Sequence, residues 1–198
     1  MEEGYIKYHC QWNHTEPFTL MQLNELLQWR DFLYQHGLIG MYPDGIGFGN
    51  VSIRHKANQF FITGSATGHL SHIERQHISL VVNVDLPNNT LTCEGPIQAS
   101  SESMSHAVIY QSIAAVNAVV HVHHKPTWDR WLHQLPTTSV SASYGTPQMA
   151  EEISKILHDQ HFMSQKIIVM GGHEEGIMTF GTDLEEAVAT LMKYVVAE

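Results

Sequence analysis

The chain has 198 residues, 43% of them hydrophobic, and sets 10 Lys and Arg against 20 Asp and Glu for a formal charge of −10. That size suits a single domain over 1–198 able to bury its own core without disulfides. The acidic balance argues against a nucleic-acid partner, which needs a basic face. No stretch reaches the ~18 apolar residues of a membrane helix, and the start Met1-Glu2-Glu3-Gly4-Tyr5 lacks the parts of a signal peptide.

Apolar residues recur at helical spacing over 20–34, with Thr19 as candidate cap and Gly37 where a helix would end. A glycine-rich turn follows over 44–49. Segments 50–54 and 59–63 read as strands joined around Ala57-Asn58, and 78–85 pairs with 91–94 across Pro87-Asn88-Asn89. The pattern predicts a helix over 101–115, a valine-rich strand over 118–123, a helix over 126–135 opened by Pro126, and another over 151–161. Segments 166–170 and 177–180 read as strands. A C-terminal helix is expected over 183–196, capped by Thr182 or Asp183 with Glu185 and Glu186 in its first turn. Strands interleaved with helices and hairpins define an α/β class with a mixed or largely antiparallel central sheet.

Cys10 and Cys93 form no CxxC motif and fit a reducing cytoplasm. The 15 histidines matter only through their spacing. In His121-Val122-His123, residues i and i+2 of a strand share a face, so both imidazoles project into one cavity. A divalent metal and two satisfied strand-end histidines are about equally good readings of this motif alone. His124 faces the other way. In Gly171-Gly172-His173-Glu174-Glu175-Gly176 the glycines let a histidine-bearing turn pack closely, and His173 could be a third donor, leaving one metal position open. Taken alone it is an ordinary loop histidine.

Gln98-Ala99-Ser100-Ser101-Glu102 opens a helix. Its hydroxyls and free N–H groups suit an anion, and the helix end favours an ionised Glu102; a simple helix cap is the plainer reading. Gly49-Asn50-Val51-Ser52 and the 62–68 run ending Thr67-Gly68 could add backbone donors, or be β-turns.

Taken in order, Gly49-Asn50-Val51-Ser52, the 62–68 run, Ser100-Ser101-Glu102, Val120-His121-Val122-His123, His173 and the 181–187 run resemble the class II aldolase/adducin family from about residue 20 to the C-terminus. The resemblance implies a three-layer α/β/α sandwich with a central, mainly antiparallel sheet. It implies Zn2+, or another divalent metal such as Mn2+, Fe2+ or Co2+, on His121, His123 and His173, and Glu102 as acid/base. It further implies a phosphate held by Gly49, Asn50, Thr67, Gly68, Ser100 and Ser101, and a homotetramer with sites between subunits.

Two departures stand out. The family commonly has Asn-His-Gly at the third ligand, where this chain has Gly172-His173-Glu174-Glu175-Gly176, with Glu174 and Glu175 expected to face solvent. The chain also ends at Glu198, without the C-terminal extension of longer members. Tyr144 is a candidate proton donor only through its Gly/Ser-rich loop. The expected function is a metal-dependent aldolase-type lyase acting on a small hydroxy-carbonyl, a ketose or ketose phosphate, in the cytoplasm. A related epimerase, dehydratase or decarboxylase, a metal-dependent hydrolase, and a non-catalytic adducin-like module are the alternatives.

Overall fold

The computed structural model describes residues 5–196, so the Met1-Glu2-Glu3-Gly4 start and the last two positions of the expected 1–198 span lie outside the described residues. In chain order the elements are β1 (His9–His14), α1 (Leu23–Gln35), β2 (Gly40–Met41), β3 (Gly47–Phe48), β4 (Asn50–Lys56), β5 (Gln59–Thr63), β6 (Ile78–Asp85), β7 (Thr90–Gly95), α2 (Ser103–Ser112), β8 (Ala118–His123), α3 (Lys125–Trp131), α4 (Pro147–His158), α5 (Gln160–Met163), β9 (Ile167–Val169), β10 (Gly176–Gly181) and α6 (Leu184–Met192). The large sheet runs β1-β7-β6-β5-β4-β8-β10-β9, while β2 and β3 form a separate hairpin. Among the described residues, β1 on β7 is the parallel pairing in the large sheet and the other pairings are antiparallel.

Strand alternation sorts the core into two layers. Phe60, Ile62 and Val119 pack with Met104 and Ile109 of α2 and with Met149 and Ile153 of α4. Val51, Phe61, Val120 and Val122 pack instead with Leu23, Leu26 and Leu33 of α1 and with Leu184 and Val188 of α6. Helices therefore cover both sheet faces, the α/β/α sandwich with a mainly antiparallel sheet. Truncating any one of these buried Leu, Ile or Met side chains to alanine costs about 2–5 kcal/mol.

The ends of several elements differ from the sequence expectation. Helix α1 starts at Leu23, not 20, because Leu20 and Met21 form an exposed turn whose carbonyls accept from the Leu23 and Asn24 N–H groups; Gln22 is the cap residue, and neither it nor Thr19 caps through its side chain. Its end matches: Gly37 at φ +69 lets its own N–H and that of Leu38 reach back to Tyr34 and Leu33. Helix α2 is shorter than 101–115, since Ser100 to Ser103 make a preceding turn and Ile113 is already extended. Helix α3 stops at Trp131, short of 135. The helix expected over 151–161 begins earlier, at Pro147, where Thr146 Oγ1 accepts the Met149 N–H, and ends at His158 before the separate α5. The expected strand over 166–170 contracts to β9. Helix α6 ends at Met192, short of 196, and its cap is Asp183, which accepts the Glu186 N–H at 2.8 Å. Strand β1 was not foreseen: its largely exposed His-Cys-Gln-Trp-Asn-His sequence carries no apolar alternation, and it is held by backbone pairing to β7.

Candidate functional site

In β8, the odd-numbered His121 and His123 face away from the α1/α6 layer that takes Val120 and Val122. Both are nearly inaccessible, at 1% and 3% exposure. Their Nε2 atoms lie 3.2 Å apart. Burial, and then the neighbouring His173, hold both imidazoles well below the ordinary histidine value, which keeps them neutral. His121 Nδ1 lies 3.2 Å from the Ile177 carbonyl, which can only accept, so the His121 proton is on Nδ1 and its Nε2 carries a bare lone pair. His124 lies beyond the strand; it opens α3 and pairs through Nδ1 with Thr127 Oγ1 at 2.6 Å.

His173 sits in the turn between β9 and β10, closed by His173 N–H to Met170 O and by Gly176 N–H to His173 O. Its ring centroid is 4.5 Å from that of His123 and 5.2 Å from that of His121. One ligand atom from each of the three histidines lies within 4.8 Å of the others, so this set could hold a metal ion. Glycines make the approach possible. A Cβ on Gly172 would stand 2.0 Å from the Ala142 carbonyl, and one on Gly176 would stand 3.2 Å from the His173 ring. The loop bearing Tyr144 is thereby pressed against the His173 turn, and Tyr144 stacks on His173 at 4.8 Å and 30°.

Glu102 is 2% exposed at the first residue before α2. Its Oε2 accepts from Ser105 Oγ at 2.7 Å, and its Oε1 is 3.7 Å from His173 Nδ1. Gly49, Asn50, Thr67, Gly68, Ser100 and Ser101 line one cleft together with Glu102 and the three histidines. Asn50 stands opposite His121 across the β4–β8 pairing, and its buried Oδ1 has no hydrogen-bond donor. Ser100 Oγ accepts the Glu102 N–H at 3.3 Å and keeps its own proton to give. Thr67 Oγ1 is committed to Gly64 O at 2.9 Å, so that turn offers backbone more than hydroxyl.

The sequence reading missed three residues. Arg30 is 1% exposed on the inner face of α1 and donates to Thr67 O at 2.8 Å, which places a guanidinium directly behind the Thr67-Gly68 turn. Its helical spacing with Leu23, Leu26 and Leu33 was the available signal: a charge on an apolar stripe. Tyr42, in the β2–β3 hairpin, lies 2.8 Å from His123 Nδ1 and donates to Glu175 Oε2 at 2.7 Å. This corrects the expectation that Glu175 faces solvent, because its carboxylate turns inward to the phenol. Glu174 does face outward, 43% exposed and 3.6 Å from Lys125. Tyr5 also lines the cleft mouth.

Fold and site together define an α/β/α protein with a cleft of converging buried histidines beside a buried carboxylate and a set of glycine- and hydroxyl-bearing turns. The family model described as Class II Aldolase and Adducin N-terminal domain matches residues 25–128, and the chain belongs to that family. His173 and Tyr144 lie beyond the matched stretch and reach the cleft through the fold. The structure is similar to L-fuculose-1-phosphate aldolase from Thermus thermophilus, with a TM-score of 0.62 and 21% identity over 87% of this chain and 90% of that one. It is also similar to YgbL from Klebsiella pneumoniae, with a TM-score of 0.64 and 17% identity over 88% and 86%. A further L-fuculose 1-phosphate aldolase gives a TM-score of 0.63 and 20% identity over 92% of each chain. No curated protein sequence matches the chain significantly. Among the described residues, no helix is long and apolar enough to cross a membrane.

Proposed function

We propose that this chain is a divalent-metal-dependent aldolase-type lyase acting on a small ketose or ketose phosphate, with zinc the first choice of metal on His121, His123 and His173. The observation that carries the reading is the separation of His121 and His123 Nε2, 3.2 Å between two buried neutral imidazoles. Two nitrogens each ~2.0–2.1 Å from a tetrahedral zinc stand roughly 3.3 Å apart, so the pair is spaced for a cation. Cys thiolates are absent from the set, which leaves zinc, manganese, iron and cobalt all compatible with its nitrogens.

When bound, the cation would act as a Lewis acid on the substrate carbonyl and its neighbouring hydroxyl. The chain's own residues then divide the remaining work. Glu102, packed beside His173 and oriented by Ser105, takes and returns the proton of the reacting carbon or hydroxyl. Asn50 Oδ1 accepts a substrate hydroxyl. Ser100, Ser101 and the Gly49 and Thr67-Gly68 turns hold the anionic or polyhydroxyl end, with the Arg30 charge behind the Thr67-Gly68 turn. Related epimerase, dehydratase and decarboxylase reactions would use the same groups; YgbL, similar in fold, is itself named for aldolase, epimerase or decarboxylase activity. The histidine cluster and Glu102 favour an enzyme over an adducin-like interaction module. We further propose a single 1–198 domain, on chain length, in the cytoplasm, on the usage of Cys10 and Cys93, working as a homotetramer, as the family resemblance implies.

The test is elemental analysis of the purified protein followed by a cleavage screen on ketoses and ketose phosphates with the metal-replete form. Near-stoichiometric metal and retro-aldol release of an aldehyde are expected. A metal-replete preparation that cleaves none of the panel would defeat the lyase assignment.

A further inference from the structure

Tyr42 touches two groups that compete for its single proton. Its Oη is 2.8 Å from His123 Nδ1 and 2.7 Å from Glu175 Oε2. A carboxylate oxygen accepts and cannot donate, so the phenol proton goes to Glu175. The Oη lone pairs are left to accept, and the matching donor is His123 Nδ1–H. A neutral imidazole protonated on Nδ1 has a bare Nε2, which is the atom that faces His121 Nε2. The Ile177 carbonyl fixes His121 in the same tautomer from the other side.

The surroundings hold this chain of bonds in place. The Tyr42 ring packs on Phe48, 4.6 Å between centroids, and Phe48 lies 5.4 Å from the His123 ring. Glu175 adopts φ +68, a conformation uncommon for a side-chain-bearing residue, and its carbonyl accepts the His124 N–H at 3.0 Å. That turn also carries His173, so the bonds link the end of β8, the β2–β3 hairpin and the His173 turn.

We propose that Tyr42 and Glu175 are positioning residues that hold His123 as its Nδ1–H tautomer and make its Nε2 a stronger donor to a divalent cation. The proposal rests on the metal reading of the three histidines. Groups hydrogen-bonded behind a metal-binding imidazole typically contribute ~10–100-fold in metal affinity, and a carboxylate reached through one phenol falls in that class. Neither residue lines the cleft among the described residues, so both act through His123 and not on substrate.

The experiment uses the full chain in metal-free form, as wild type, Tyr42→Phe, Glu175→Gln and the double variant. Nitrogen-15 NMR of the histidine rings reads the His123 tautomer, and competition with a chromophoric chelator reads Zn2+ affinity. The wild type is expected to carry the His123 proton on Nδ1. Tyr42→Phe is expected to weaken Zn2+ binding by about 10–100-fold, Glu175→Gln by less, and the double variant by no more than Tyr42→Phe alone, because the two act in series. A hairpin anchor with no role at His123 would instead lower the melting temperature and leave the Zn2+ affinity of the folded variants unchanged, and that result overturns the proposal. If the wild type binds no Zn2+, the metal reading fails and the tautomer alone decides the relay: a proton on Nδ1 supports it, and one on Nε2 overturns it. The wild-type tautomer needs no variant to fold.

Discussion

Tyr144 lies over the imidazole of His173, centroids 4.8 Å apart and planes 30° from parallel, while the Lys7 ammonium sits 3.8 Å from the centre of the same tyrosine ring. The ring thus fixes the plane of one candidate ligand from the wall of the cleft that it lines. Aromatic pairs of this kind contribute ~0.5–1.5 kcal/mol. Tyr144→Leu should weaken Zn2+ binding by about 3–10-fold in a chelator titration, whereas Tyr144→Phe should stay within about twofold of wild type. Equal loss in both variants would move the role from the ring to the hydroxyl.

The ligand and proton-transfer roles separate cleanly in two variants. His123→Ala removes a nitrogen from the cluster and should abolish most bound metal by elemental analysis. Glu102→Gln keeps the shape beside His173 but cannot move a proton, so it should retain metal and lose about 10²–10⁴ in kcat. Full metal stoichiometry in His123→Ala would refute the ligand set.

Arg54 is a structural counterpart in the same strand as Asn50. Its guanidinium donates to the Val116, Tyr110 and Ile113 carbonyls at 2.7–2.9 Å, tying β4 to the last turn of α2, the helix that Glu102 opens, and to the segment that follows it. Charge-assisted bonds to three backbone carbonyls make Arg54→Ala destabilising by about 2–3 kcal/mol. Lysine should recover only part of this, because a single ammonium cannot span three acceptors. Urea unfolding with an unchanged m-value is the measurement.

Acid sensitivity follows from His106. This fully buried ring lies 2.7 Å from Ser52 Oγ, and burial pushes its pKa down to about 3. The folded value lies below the ordinary ~6.5 of the unfolded chain, so between these limits the unfolded state binds the extra proton. The contribution is complete above about pH 6.5 and is lost as pH falls toward 3, by ~1.4 kcal/mol per pH unit for this residue. In metal-free protein, the slope of unfolding free energy against pH between 6 and 4 should shrink by about that amount in His106→Gln. An unchanged slope would mean that His106 is solvated or already charged in the folded protein.

The legible parts of the fold and site were those governed by local periodicity. His121 and His123 declared a common face because a strand repeats every two residues, and Gly37 declared a helix end because only glycine readily takes the left-handed turn found there. The approach of His173 was visible only as glycines around a histidine; the convergence itself depends on β10 lying next to β8. Tyr42 and Glu175 are 133 positions apart, and nothing local in either segment points to the other. Strand β1 escaped for a different reason: it is held by backbone bonds on an exposed edge, where side-chain hydrophobicity carries no information.

The glycines at 171 and 172 have a consequence for how this cleft can diversify. With Thr138 and Ala142 carbonyls seated where side chains would otherwise stand, the loop carrying Tyr144 and the turn carrying His173 are keyed together and must shift as one block. Remodelling from that flank would displace the candidate ligand His173 along with the cleft wall. Ser65 lines the same cleft from the turn after β5, outside that block, so substitution there can reshape the cleft while leaving the His173 turn in place.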